Sequence, residues 1–255
     1  SASNIGAINS AIAQLGQTAT DTASEVQAVV DAYAALLNAA DGVANGGSTL
    51  SISQFQTLGI TVIDTNAEAL LLNAVVDVGS SASIDTYSEL ANLASIVNRL
   101  SIIAAGGTAS PALTAQDLEA LGITGVTSAN LSAVIAAIAA TANDGSGIDS
   151  MAELQTVANT GVANARSASQ GVIAAYTGTN TSPTLDDYQN AGVSGVTSSN
   201  IAAINSVIAQ LSTTASDSQA EVQAVVDAYV LVVAAANGLA DGGASLGAAD
   251  YAALG

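Results

Sequence analysis

Ser24-Glu25-Val26-Gln27-Ala28-Val29-Val30-Asp31-Ala32-Tyr33 returns near the other end of the chain as Ala220-Glu221-Val222-Gln223-Ala224-Val225-Val226-Asp227-Ala228-Tyr229, with nine of the ten positions identical. Upstream of each copy, Asn4-Ile5-Gly6-Ala7-Ile8-Asn9-Ser10 matches Asn200-Ile201-Ala202-Ala203-Ile204-Asn205-Ser206. A long chain that repeats itself is read first as an array of units. Three anchors extend the repeat to the middle of the chain. They are Asn4, Asn66, Asn130 and Asn200; Glu25, Glu89, Glu153 and Glu221; and Gly59, Gly122, Gly192 and Gly255. The Asn-to-Glu spacing is 21, 23, 23 and 21 residues, and the order of anchors never changes. Four units follow: residues 1–60, 61–123, 124–193 and 194–255.

Each Glu anchor closes a Ser/Thr-x-x-Glu pattern: Thr22 with Glu25, Thr86 with Glu89, Ser150 with Glu153, and Ser218 with Glu221. In such a capping box the hydroxyl accepts from the Glu backbone N–H, and the carboxylate accepts from the N–H of the cap residue. Four of the six glutamates are thereby assigned to starting helices. An Asp precedes each box (Asp21, Asp85, Asp149, Asp217), where negative charge complements a helix N-terminus.

Within a unit, Ile5, Ile8, Ile12 and Leu15 give a first helix over about Ser3 to Leu15. A second runs from the box to about Ala39, with Val26, Val29, Val30, Tyr33, Leu36 and Leu37 on one face. A Gly/Asn/Asp-rich loop follows. A short third helix is opened by Ser51, Thr114 or Thr184 and closed by a glycine suited to a left-handed C-cap. The fold class is all-α: four three-helix units stacked into an elongated rod. The third unit has the most divergent second helix, from Ser150 to Tyr176, and Gly161 and Gly171 are expected to bend or break it.

Composition sets limits on chemistry. Half the residues are apolar but 3% are aromatic, so the cores rest on many Ala, Val, Ile and Leu contacts rather than bulky anchors. Arg99 and Arg166 stand against 21 acidic residues, for a formal charge of −19. With so little positive charge, nucleic-acid binding and adhesion to anionic lipid are disfavoured. The strongest apolar run, Tyr229 to Ala236, is too short to cross a membrane, so no membrane insertion is expected. Without His, Cys or Lys there is no Ser-His-Asp triad, thiol nucleophile, ordinary zinc site, Schiff base or P-loop, and the chain is not read as an enzyme.

Asp144-Gly145-Ser146-Gly147-Ile148-Asp149 is the one loop with the look of a cation site, and Asp144 and Asp149 are its calcium candidates. It lacks the spacing and terminal Glu of an EF-hand, and turn and cap chemistry explains the same residues. Tyr33 and Tyr229 are expected in cores with their hydroxyls at the edge. Arg99 and Arg166 read as surface salt bridges to nearby Asp, with an inter-subunit contact as the alternative.

The stretch from Asp187 to Val193, then Asn200 through Asn205, then Glu221 to Asp227 resembles the GA-type module, a three-helix unit of bacterial surface proteins. The units are also similar to helical tandem repeats of very large bacterial surface and biofilm adhesins. The resemblance covers nearly all of the first and fourth units and is weaker in the middle two. It implies an extracellular or cell-surface location in a bacterium. The albumin binding of some GA modules does not carry over, because their Lys-rich surface is missing.

Ser1-Ala2-Ser3-Asn4 aligns with Thr127-Ser128-Ala129-Asn130, and Gly255 aligns with Gly122. The last short helix, with Ala248, Tyr251 and Leu254 as contact candidates, is therefore expected to meet either the continuation of a longer array or the first helices of another copy. A head-to-tail contact of that kind propagates. The expected function is structural: the stalk of a surface adhesin, or the subunit of an extracellular filament or sheath. The alternative is a binding module that recognises a host or matrix protein through a helical face.

Overall fold

The structure is a computed structural model that describes residues 2–47, 49–236 and 245–255. Among these residues it is all-helical, with twelve α-helices, three short 3-10 turns and no strand beyond one isolated bridge between Asp41 and Ser80. The helices are α1 (Ala2–Ile12), α2 (Ala23–Ala39), α3 (Ile52–Thr57), α4 (Asn66–Val78), α5 (Tyr87–Ala104), α6 (Ala115–Ala120), α7 (Leu131–Ala139), α8 (Met151–Ala174), α9 (Leu185–Asn190), α10 (Ile201–Ile208), α11 (Gln219–Ala235) and α12 (Ala248–Ala253). Every third helix is short, at six residues. The 3-10 turns Gln17–Ala19, Ser81–Ser83 and Thr213–Ala215 each precede a long helix.

Local chemistry sets these boundaries. The hydroxyls of Thr22, Thr86 and Ser218 accept from Glu25, Glu89 and Glu221 N–H at 3.2, 3.3 and 3.3 Å, and each Glu accepts from the cap N–H in return. Ser150 and Glu153 make the hydroxyl bonds of the same motif. Ser51, Thr114 and Thr184 close boxes with Gln54, Asp117 and Asp187 at the short helices. Gly59, Gly122 and Gly192 end those helices with φ of +81°, +89° and +79°, which an L side chain adopts only with strain.

Two details differ from expectation. First, α8 is one continuous helix of 24 residues that passes through Gly161 and Gly171 without a break. Each glycine costs about 1 kcal/mol of helix propensity. Burial of Leu154, Ala158, Ala165 and Ile173 along the same helix outweighs that penalty. Second, the Asn anchor of residues 61–123 is out of register. Asn66 is the first residue of α4, whose cap is Thr65, boxed with Glu68. Asn130 and Asn200 instead sit one position before their helices and tie down the preceding turn, accepting from Thr127 and Thr197 N–H and donating to the Gly125 and Gly195 carbonyls.

The chain falls into two compact units, Ser1–Thr160 and Gly161–Gly255. In the first, α1 lies on α2, α2 touches α3 and α4, and α5 meets α1, α4, α6 and α7. Tyr33, Leu36, Phe55, Leu72, Ile96 and Leu100 are wholly buried there. In the second, Ile173, Tyr188, Ile204, Ile208 and Val226 form a core between the end of α8, α9, α10 and α11, and α12 lies against α11.

Candidate functional site

The most specific chemistry in the molecule lies where a short helix meets the next long ones. At the α3–α4 step, Asn73 is buried on the apolar face of α4. Its Oδ1 accepts from Leu50 N–H at 2.8 Å, and its Nδ2 donates to the Leu50 carbonyl at 2.8 Å and the Ala69 carbonyl at 2.7 Å. Leu50 is the residue before the α3 cap, so one amide satisfies both backbone groups of the chain entering that helix. At the α9–α10 step Asn205 does the same work, with Nδ2 donating to the Pro183 carbonyl at 2.9 Å. Proline has no N–H to offer. The Tyr188 hydroxyl takes its place and donates to Asn205 Oδ1 at 2.6 Å.

Side chains from the following long helix complete these joints. Tyr87, the first residue of α5, donates its hydroxyl to the Gly59 carbonyl at 3.0 Å. Gln219, the first residue of α11, donates to the Gly192 carbonyl at 2.7 Å. Gln223 accepts from Ser194 N–H at 2.8 Å and donates to its carbonyl at 3.2 Å, and Gln155 clamps Thr124 in the same two-handed way. The buried Tyr33 hydroxyl donates to the Ile84 carbonyl at 2.9 Å, just past a 3-10 turn. Burial pushes the Tyr33 and Tyr188 phenols well above their ordinary pKa, so both remain hydrogen-bond donors.

The α6–α7 step is built otherwise. The register position of Asn205 is occupied by Ile135 in α7. Here Arg99 of α5 reaches the cap of α6, with two bonds of 3.0 Å to the Asp117 carboxylate and one of 3.2 Å to the Ala112 carbonyl. Arg99 is buried, which corrects the expected surface salt bridge, and its Nε has no partner among the described residues. Burial alone would raise the Asp117 pKa, but hydrogen bonds from Arg99 and Thr114 hold it below the usual carboxylate value. Arg166 is exposed and makes no ion pair among the described residues, against the expectation for it.

At three of the caps the glutamate and the aspartate four residues before it are shifted in opposite directions. Hydrogen bonds from the cap residues lower Glu25, Glu89, Glu153 and Glu221. Glu25 and Glu89 in turn raise Asp21 and Asp85, while burial followed by Glu153 raises Asp149. Asp144 accepts from Ser146 N–H at 3.0 Å in a local turn, and Asp149 stands just before the Ser150 cap. Among the described residues there is no group of three or more His, Cys, Asp or Glu side chains that could hold a metal ion.

Ala248, Tyr251 and Leu254 all lie on or at the end of α12. Ala248 is exposed and Leu254 is half-buried against the second core. Tyr251 is 61% exposed. Tyr33 is in a core as expected, but its hydroxyl is buried against the Ile84 carbonyl rather than at the edge, and Tyr229, its counterpart, is only partly buried.

Sequence reasoning passed over Asn73, Asn205 and the Thr65–Glu68 box. The signal for the asparagines was an amide standing among isoleucines and leucines on an otherwise apolar helical face.

No family model, no curated protein and no solved structure matches the chain. No helix among the described residues is long and apolar enough to cross a membrane.

Proposed function

We propose that the chain is a structural, extracellular repeat protein. It serves as the stalk or array of a bacterial surface adhesin, or as the subunit of an extracellular filament or sheath assembling head to tail. The carrying observation is the helix order. Long, long and short recur four times, with the same capping boxes at corresponding starts and the same left-handed glycine after the short helices. The polar side chains with the most specific partners hold one helix to the next, at Asn73, Asn205, Gln155 and Gln223. In this reading residues 1–60, 61–123, 124–193 and 194–255 are four GA-like units in an elongated array, and their chemistry is spent on joints. The resemblance to bacterial surface modules supports the location.

Small-angle scattering on the purified chain tests the array. A compact globule of this length has a radius of gyration of roughly 18 Å, and an elongated array of four units gives about twice that. A value near the compact one would reject the array. It would favour a binding module that recognises a host or matrix protein through a helical face.

A further inference from the structure

Asn45 and Gly46 lie in the loop between α2 and α3, with Asn45 exposed. The sequence holds one other Asn-Gly pair, Asn237-Gly238, which lies outside the described residues. Asparagine is among the chemically labile residues. Before glycine it is at its most labile, because the next backbone nitrogen reaches the side-chain carbonyl carbon with no Cβ in the way.

The structure engages both nitrogens of that reaction. Gly46 N–H, the nucleophile, donates to Asp77 Oδ2 at 3.1 Å, and Gly47 N–H donates to Asp77 Oδ1 at 2.8 Å. Asp77 comes from α4 and is 8% exposed. Asn45 Nδ2, the leaving nitrogen, donates to Asp41 Oδ2 at 2.9 Å. Gly47 is held so closely that a Cβ there would lie 2.9 Å from both Ala39 Cβ and Asp77 Oδ1. Aligned by Leu50 and Leu246, the sequence 237–243 repeats 41–47 with Asn237 for Asp41 and Asp241 for Asn45. In both stretches one of the two positions is an amide and the other a carboxylate.

We propose that Asn45 is a self-modification site whose rate Asp77 holds down. In the reaction Gly46 N bonds to Asn45 Cγ, the Cγ–Nδ2 bond breaks, and the proton of Gly46 leaves with that nitrogen as ammonia. The product is a cyclic succinimide. Water then opens the ring at either carbonyl, giving aspartate or the isomer in which the main chain runs through the side-chain carbon. No other reactant is needed. The attacking nitrogen must give up its proton. A carboxylate at hydrogen-bond distance ties up that N–H and disfavours negative charge on the nitrogen.

The consequence is local release. A carboxylate at position 45 has no proton for Asp41 Oδ2, so a donor–acceptor pair becomes a pair of like charges. The isomer also adds a methylene carbon to the main chain just before Gly46 and Gly47, where the packing around Gly47 has no room. One uncatalysed event thus frees loop 41–47 from α4, irreversibly. The inference concerns this loop alone and stands whether or not the chain is an extended array.

The test is peptide mapping by mass spectrometry on the full chain held at neutral pH, which separates Asn45 from Asn237. Conversion at Asn45 should be at least about tenfold slower in native buffer than in guanidinium chloride, the factor expected of a hydrogen bond to a charged group. Asp77→Ala, checked for native circular dichroism, should recover most of that factor. Equal rates in native and denatured chain would overturn the brake, as would a folded Asp77→Ala that converts at the wild-type rate. An Asn45 that stays intact in denatured chain would end the site itself. Should Asp77→Ala unfold, the wild type decides. Amide hydrogen exchange at Gly46 and conversion at Asn45 should rise together through sub-denaturing guanidinium, and exchange that rises without conversion rejects the brake. Asn45→Asp reads the release. Exchange at Gly46 and Gly47 should quicken by about tenfold or more, and unchanged exchange would mean that the product carboxylate leaves the loop in place.

Discussion

The Tyr188 hydroxyl stands 2.6 Å from Asn205 Oδ1 in a position closed to solvent, and this contact joins the middle of α9 to the middle of α10. Its energetic weight comes from what is lost if it is broken. The Pro183 carbonyl and the Tyr188 hydroxyl have no water to turn to, so removing the amide leaves both unsatisfied.

Asn205→Ala is therefore expected to destabilise the chain by about 1–3 kcal/mol, and Asn73→Ala, which strands Leu50 N–H and its carbonyl, by a similar amount. Asn9→Ala, at an exposed position, should fall within about 0.5 kcal/mol of wild type under monomeric conditions. Denaturant melts of the three variants check the ranking, and equal effects at Asn9 and Asn205 would contradict it.

Arg99→Met tests the buried ion pair. Removing one partner leaves the Asp117 carboxylate at the foot of α6 with the Thr114 bonds alone, and the expected loss is about 3 kcal/mol. Arg166→Met, an exposed change without an ion pair to break, should move stability by less than about 0.5 kcal/mol. Thermal unfolding of the two single variants decides between them.

Gly171→Ala should stabilise. The position is helical and exposed, and no atom lies within 4 Å of where the new methyl would sit. The gain expected from helix propensity and the lower chain entropy of the unfolded state is about 0.5–1 kcal/mol. A fall in the melting temperature would mean that α8 does not hold its helix through this glycine in solution.

Acid should expose the Glu68 box. Burial raises the Glu68 pKa, but hydrogen bonds from the Asp64 and Thr65 backbone, from Asn98 and from the Thr65 hydroxyl outweigh it and leave the folded pKa below the ordinary value. Its contribution is thus present above the unfolded Glu pKa of about 4.3 and is lost as pH falls through the lower folded value. Asp64 runs the other way. Repulsion from Glu68 raises its pKa, so its protonation on acidification relieves strain in the folded state. Stability should hold or rise slightly from neutral pH toward the Asp64 transition, then decline below about pH 4. Glu68→Gln should flatten both limbs of a melting-temperature profile, and an unchanged profile would remove Glu68 from the account.

Much of the local structure was legible because capping is written in four consecutive residues. Thr22–Glu25, Thr86–Glu89 and Ser218–Glu221 could be read directly, and the helices begin where those boxes put them. The break expected at Gly161 and Gly171 was misjudged because glycine's penalty is local, whereas the burial that overrides it comes from residues on other helices. Asn66 was aligned with Asn130 and Asn200 by residue type. The structure shows that the Thr65–Glu68 box shifts the register, and that the amide that matters in α4 is Asn73. Arg99 looked like a surface charge because its partner, Asp117, lies 18 residues away across a loop, a distance no local pattern records.

Leu50 and Pro183 occupy the same place before a short helix, yet only Leu50 can give a backbone proton to the asparagine opposite. At the other site a phenol supplies it from one turn further on. The asparagine thus accepts either of two keys, one cut from the main chain and one from a side chain. A proline that would cripple an ordinary hydrogen-bonded turn becomes harmless wherever a tyrosine stands four residues past the cap. The two joints thus differ in composition and keep the same asparagine at their centre.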